Sequence, residues 1–144
     1  AEVERILRPG GLFAAYDYSW PPTVHWEAEA AYDALTGRVD RISREQGIEE
    51  ADRNQYWPKE QHLSRMIASG RFRYVKEILA HHMEMGNAER FIGLSLSNYI
   101  GSLLRRGLRE EDIGFDQYKA TVQKALGEQT VPFYFSYQVR IGIK

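Results

Sequence analysis

Apolar and polar residues alternate most regularly near the end of this chain. Every second residue there is apolar: Phe133, Phe135, Tyr137, Val139, Ile141 and Ile143. Tyr134, Ser136, Gln138 and Arg140 fall between them. A period of two predicts a strand, here at about 132–143, with one apolar and one polar face.

Two other segments are apolar without a helical period. Leu12 to Tyr16 is a nearly continuous apolar run and predicts a strand at about 11–17. Such a run is typical of a strand that is covered on both faces. The third predicted strand, at about 72–84, has Val75, Ile78 and Leu79 at its apolar centre.

The segments between these strands have apolar residues at helical spacing. They predict the end of a helix at 2–8, a long helix from Trp26 to about Gly47, and a short one from about Lys59 to Gly70. Two more are predicted, at 87–104 with Asn87 as N-cap and at about 112–126. The chain is therefore α/β, with three strands flanked by about five helices. We expect residues 1–144 to form a single domain or half-domain.

Composition narrows the possible functions. The chain has 144 residues, a formal net charge of −1 and no cysteine. The near-neutral charge argues against nucleic acid and anionic membranes as partners. The lack of cysteine excludes disulfides, thiolate metal sites and cysteine nucleophiles, and it fits a cytoplasmic protein. No stretch approaches the length of a membrane span.

The order of elements, together with three stretches of sequence, resembles the C-terminal half of a class I S-adenosylmethionine-dependent methyltransferase. "EVERILRPGGLFAAYDY" resembles the helix, Pro-Gly-Gly turn and fifth strand of that family. "RYVKEILAHHMEMG" is similar to its sixth strand and "VPFYFSYQVRIGIK" to its seventh. The resemblance implies a partial Rossmann-like fold with a three-stranded mixed sheet, in which the last strand runs antiparallel between the other two.

The family's cofactor motifs have no counterpart in this sequence. The only adjacent glycines, Gly10 and Gly11, follow a helix instead of opening one, the reverse of a nucleotide-binding turn. The resemblance therefore implies a parent transferase that uses S-adenosyl-L-methionine, with no cofactor-binding residue in this chain. We expect the N-terminal strands of such an enzyme to be missing and the fragment alone to be inactive.

Candidate substrate-binding residues follow the first predicted strand. Ligands of open α/β sheets bind beyond the carboxyl ends of the parallel strands. Asp17 could accept a hydrogen bond from the methyl acceptor and His25 could act as a base, although no residue is assigned as catalytic. We expect the acceptor to be a small molecule. Aromatic side chains could wall it: Tyr16, Tyr18, Trp20, Trp26 and, from a lid in the later insertion, Trp57. The alternative is that these residues cap turns and pack the loop.

Two further predictions concern the strands. His81 and His82 point to opposite faces of a regular strand and cannot chelate one metal ion, so no metal site is predicted. Arg140 lies in a strand expected to be central, where a buried guanidinium needs an acidic partner, and Glu77 is the candidate.

The alternative function is a non-catalytic α/β module for binding or assembly. The fragment hypothesis and the module hypothesis differ at the first strand, since a fragment would leave the outer edge of that strand unpaired. Bare apolar edges pair with other chains, so the fragment reading predicts self-association, for example as a dimer.

Overall fold

The computed structural model of the chain describes residues 2–48, 59–97 and 99–144. The elements are, in order, α1 (Glu2–Ile6), β1 (Leu12–Tyr18), α2 (Trp26–Glu45), a 3₁₀ turn (Lys59–Gln61), α3 (His62–Ala68), β2 (Tyr74–Gly86), α4 (Ala88–Leu96), α5 (Tyr99–Arg105), α6 (Glu110–Ile113), α7 (Phe115–Leu126) and β3 (Val131–Ile143). The strands predicted at 11–17, 72–84 and 132–143 correspond to β1, β2 and β3.

The three strands form one antiparallel sheet in the order β1-β3-β2. The last strand is thus central, as the resemblance implied. In the β1–β3 pair, Leu12 lies opposite Ile143 and Tyr18 lies opposite Tyr137. A mixed sheet needs a strand paired in parallel with one of these three. No such strand is present in the described residues, so the mixed sheet stays a prediction.

The described residues divide into two compact units. The first, which we call the sheet unit, comprises 2–20, 59–82 and 135–144. The second, the helical unit, comprises 21–48, 83–97 and 99–134. β2 and β3 each contribute residues to both.

One face of the sheet unit is tightly packed around Gly142 of β3. The rings of Phe13 and Phe72 stack with centroids 6.1 Å apart. A Cβ added to Gly142, which lies opposite Phe13, would approach the Phe72 ring to 2.8 Å and the Met66 methyl group to 2.9 Å. Position 142 therefore has no room for a side chain, because α3 and Phe72 lie directly against the strand.

The other face of the sheet unit carries exposed apolar side chains. Leu12 is 57% exposed, Tyr16 75% and Tyr18 43%, while Phe13, Ala15 and Asp17 between them are half-buried. Ile78 of β2 lies on the same face, because its neighbour Glu77 pairs with Arg140 on the opposite one. The apolar run of β1 predicted a strand covered on both faces, but the described residues cover only one.

The same unit confirms the partner predicted for Arg140. This side chain is almost fully buried, and its Nε donates to Glu77 Oε2 at 2.7 Å. Its Nη2 donates to the Gln138 side chain on the same strand face. The third nitrogen, Nη1, is buried without a hydrogen-bond partner in the described part of the chain.

The helical unit has a continuous core. Its fully buried members come from most of its helices and from β3: Leu35, Val39, Phe91, Ile100, Leu103, Ile113, Phe115, Tyr118, Val122 and Phe133. Tyr118 OH and Ser95 Oγ form a buried hydrogen bond of 2.5 Å. Burial raises the pKa of Tyr118 to about 12, because the phenolate would lose its hydration.

The helix predicted at 87–104 is two helices, α4 and α5. Asn87 caps the first as predicted, its side chain accepting from Arg90 N at 3.0 Å. Near the end of α4, the hydroxyl of Ser97 bonds back to the carbonyl of Leu94 and competes with the helical ladder. Gly101 then lies so close to the Leu96 carbonyl that a Cβ would approach its oxygen to 1.9 Å. The apolar periodicity contained no sign of this bend.

No helix in residues 2–48, 59–97 and 99–144 combines the length and the apolar character that crossing a bilayer requires.

Candidate functional site

The carboxyl end of β1 carries an ion pair. Asp17 lies on the packed face of the sheet unit, opposite Gln138, and its side chain is 23% exposed. Lys59, in the 3₁₀ turn before α3, donates from Nζ to Asp17 Oδ1 at 2.7 Å. The pair is accessible to solvent on the lysine side. A polar ligand could therefore donate a hydrogen bond to the carboxylate and accept one from the ammonium group.

The aromatic candidates lie on the opposite face. Tyr16 and Tyr18 alternate with Asp17 along the strand, so neither shares a wall with the carboxylate. The Tyr18 ring meets Trp20 edge-on, with centroids 5.9 Å apart, and lies 6.0 Å from Tyr137. The structure thus divides the predicted cluster into a polar corner at Asp17 and an aromatic group of Tyr18, Trp20 and Tyr137.

His25 belongs to the helical unit, where it has a structural role. It is the N-cap of α2, and its Nδ1 accepts from Glu27 N at 3.3 Å. The imidazole also stacks on Trp26 with centroids 6.3 Å apart. This hydrogen bond needs an unprotonated Nδ1, which leaves Nε2 as the nitrogen that could exchange a proton with a ligand.

Trp57 lies outside the described residues. Within the residues that are described, no three histidine, aspartate or glutamate side chains are grouped so that they could hold a metal ion. His81 Nδ1 lies 3.2 Å from Ser136 Oγ on the neighbouring strand.

Lys59 is the residue at this site that the sequence did not reveal. It lies 42 residues from Asp17, and it was predicted only as the beginning of a helix. Nothing in the local sequence marks it, since a lysine at the start of a helix is ordinarily a solvated surface residue.

The Gly10–Gly11 turn does not have the geometry of a nucleotide-binding turn. Gly10 has a φ of +74° and Gly11 N bonds to the Arg8 carbonyl, so both glycines close the turn from α1 into β1. The backbone of Lys144 stabilises the turn further, because it forms hydrogen bonds with both glycines. A nucleotide-binding turn instead leads from a strand into a helix N-terminus.

The chain matches no protein-family model and no curated protein. It is similar to a solved structure described as a "Putative Type II Methyltransferase" from Anaeromyxobacter dehalogenans, with a TM-score of 0.52 and 20% sequence identity. The match covers 99% of this chain and 56% of that protein, so the chain spans little more than half of its length. At this identity the likeness concerns the fold, which is methyltransferase-like.

Proposed function

We propose that this chain is the C-terminal, acceptor-side portion of an S-adenosylmethionine-dependent methyltransferase. The observation that carries the proposal is the coverage of the match, which takes in 99% of this chain but 56% of the similar methyltransferase. The strand order β1-β3-β2 supports it, since the family resemblance implied a last strand between the fifth and the sixth. A chain without cysteine fits the cytoplasmic location that we propose for such an enzyme.

The bare face of the sheet unit supports the same proposal. β1 is apolar on both faces, as strands inside a parallel α/β sheet are, yet Leu12 and Tyr16 are exposed. In the described residues β1 also has a strand neighbour on one edge only. We propose that the rest of the methyltransferase covers this face and pairs with this edge.

Under this proposal the cofactor is held by the rest of the enzyme, and this chain contacts the methyl acceptor. β1 ends at Tyr18, next to Asp17, and ligands of open α/β sheets bind at the carboxyl ends of the strands. Asp17 and Lys59 would hold a polar group of a small acceptor. Their task would be alignment, which supplies much of the rate of a bimolecular transfer.

The test is isothermal titration with S-adenosylmethionine, run on this chain and on the full-length product of its gene. We expect binding by the full-length protein and none by the 144-residue chain. Binding by neither would overturn the methyltransferase assignment and favour the assembly module. Binding by the isolated chain would overturn the proposal that the rest of the enzyme holds the cofactor.

We further propose that the isolated chain self-associates through β1. An exposed strand edge next to an apolar face is the usual site of pairing with another copy.

A further inference from the structure

An open groove of about 320 Å³ runs between α2 and α7 in the helical unit. Its floor is made by Ala30, Ala31 and Ala34 on one side of α2, of which Ala30 and Ala34 are exposed to solvent. Gln117, Tyr118 and Thr121 of α7 contribute to the opposite wall. Small side chains on α2 leave this space between two helices that otherwise pack closely. The volume lies at the lower end of the range for small-molecule sites.

The two ends of the groove differ chemically. Trp26, which is 73% exposed, lines one end, and Arg38 lines the other. Twelve residues of α2 separate them, which corresponds to about 18 Å along the helix. The groove therefore extends along α2 from an end with the Trp26 ring and the Glu27 carboxylate to an end with the Arg38 guanidinium.

Arg38 is held in place while part of its guanidinium stays available. Its Nε donates to the Ile113 carbonyl at 3.0 Å. Its guanidinium also lies against Gly114, where an added Cβ would contact Cζ at 3.5 Å. In the described residues this side chain makes no other hydrogen bond or ion pair, so both Nη groups remain free to donate. A fixed guanidinium with two free donors suits a carboxylate, which it can bind through two parallel hydrogen bonds.

We propose that this groove binds an elongated apolar molecule with a single carboxylate, such as a medium-chain fatty acid. The carboxylate would bind Arg38, and the alkyl chain would lie over the alanine floor toward Trp26. The inference rests on the helical unit alone and does not depend on the proposed methyltransferase function.

The test is isothermal titration of the full chain with dodecanoate and, separately, with dodecylamine. We expect dodecanoate to bind at one saturable site and dodecylamine, which has the same chain and the opposite charge, to bind at least about tenfold more weakly. Arg38→Gln should weaken dodecanoate binding by about tenfold or more. Ala34→Leu should abolish it by filling the floor of the groove.

Each variant has a matched control on the same helix pair. Arg41→Gln removes an exposed arginine of α2 outside the groove, and Ala120→Leu enlarges an exposed alanine of α7 outside it. Both controls should bind dodecanoate with the affinity of the unsubstituted 144-residue chain. Ala34→Leu touches neither the Arg38 hydrogen bond nor the bare sheet face, so it separates groove binding from loss of folding and from adhesion to the sheet.

Three results would overturn the proposal. They are the absence of saturable dodecanoate binding, equal affinity for dodecylamine, and unchanged dodecanoate affinity in folded Ala34→Leu. A melting curve followed by circular dichroism checks that each variant is folded.

Discussion

The helical unit and the sheet unit differ in how completely they bury their apolar residues. In the helical unit, Leu35 is 0% exposed, Phe91 1% and Phe115 2%. In the sheet unit, Tyr16 is 75% exposed and Leu79 65%, while the charged Arg140 is 3% exposed. Both units expose some large apolar side chains, such as Trp26 in the helical unit, but the fully buried apolar side chains lie in the helical unit, whereas the sheet unit buries an arginine.

This difference shows that apolar character and burial need not coincide within one piece of a fold. Burying apolar area is the main favourable contribution to folding, so exposed Leu and Tyr side chains leave that contribution unused. A patch of this kind marks a surface that another chain or segment covers.

Replacement of Phe91 by alanine should have the largest effect. Phe91 is buried against Phe133, with ring centroids 6.0 Å apart, and its loss leaves a cavity in the core of the helical unit. We expect the free energy of unfolding in urea to fall by about 3–5 kcal/mol. The matched variant in the sheet unit, Leu79→Ala, should lower it by less than about 1 kcal/mol because Leu79 is exposed. Equal losses would contradict the comparison.

Removal of the partner of Arg140 tests the buried charge of the sheet unit. Glu77→Ala should lower the free energy of unfolding by about 2 kcal/mol or more, since it leaves a buried guanidinium without a counter-charge. The loss is moderated because Glu77 is 34% exposed. In the double variant Glu77→Leu with Arg140→Leu, most of the stability should return, because apolar groups then replace both charges. A double variant as unstable as Glu77→Ala would argue against this account.

The raised pKa of Tyr118 predicts a loss of stability at high pH. Its pKa is about 12 in the folded chain against 10.0 for the free side chain. A raised folded-state pKa contributes stability that is fully present below about pH 10 and is lost as pH rises toward 12, amounting to about 2 kcal/mol. Unfolding in urea between pH 9 and 12 should show this loss in the parent chain. Tyr118→Phe should lack this component, and an identical pH profile would contradict it.

Substitution of Tyr16 should change association more than stability. Because this side chain is 75% exposed, Tyr16→Ser should alter the free energy of unfolding of the monomer by less than about 0.5 kcal/mol. Sedimentation velocity should show weaker self-association than in the parent chain. Ile67→Ser is the control, since Ile67 is also exposed, at 60%, but lies on α3 away from the bare face. If the unsubstituted chain stays monomeric at all concentrations, the proposed self-association through β1 is ruled out.

Local sequence patterns determined much of the fold. The strict alternation in β3 and the cap at Asn87 were readable because each depends on residues close in sequence. The pairing of Arg140 with Glu77 was also predictable, because a buried guanidinium must find a counter-charge and the neighbouring strand offered one. The break between α4 and α5 was not, since it depends on the close approach of Gly101 to the Leu96 carbonyl.

Only the tertiary structure determined the candidate sites. Asp17 and the tyrosines of β1 are neighbours in the sequence, but the pleat of the strand places them on two different faces. Lys59, which contacts Asp17, belongs to a turn that is distant in sequence. The groove that ends at Arg38 exists because α2 and α7, which are distant in sequence, pack side by side. A sequence pattern fixes which side chains share a face, because that follows from local backbone geometry. What covers the face depends on contacts between distant segments, and for β1 that was visible only once the sheet was assembled.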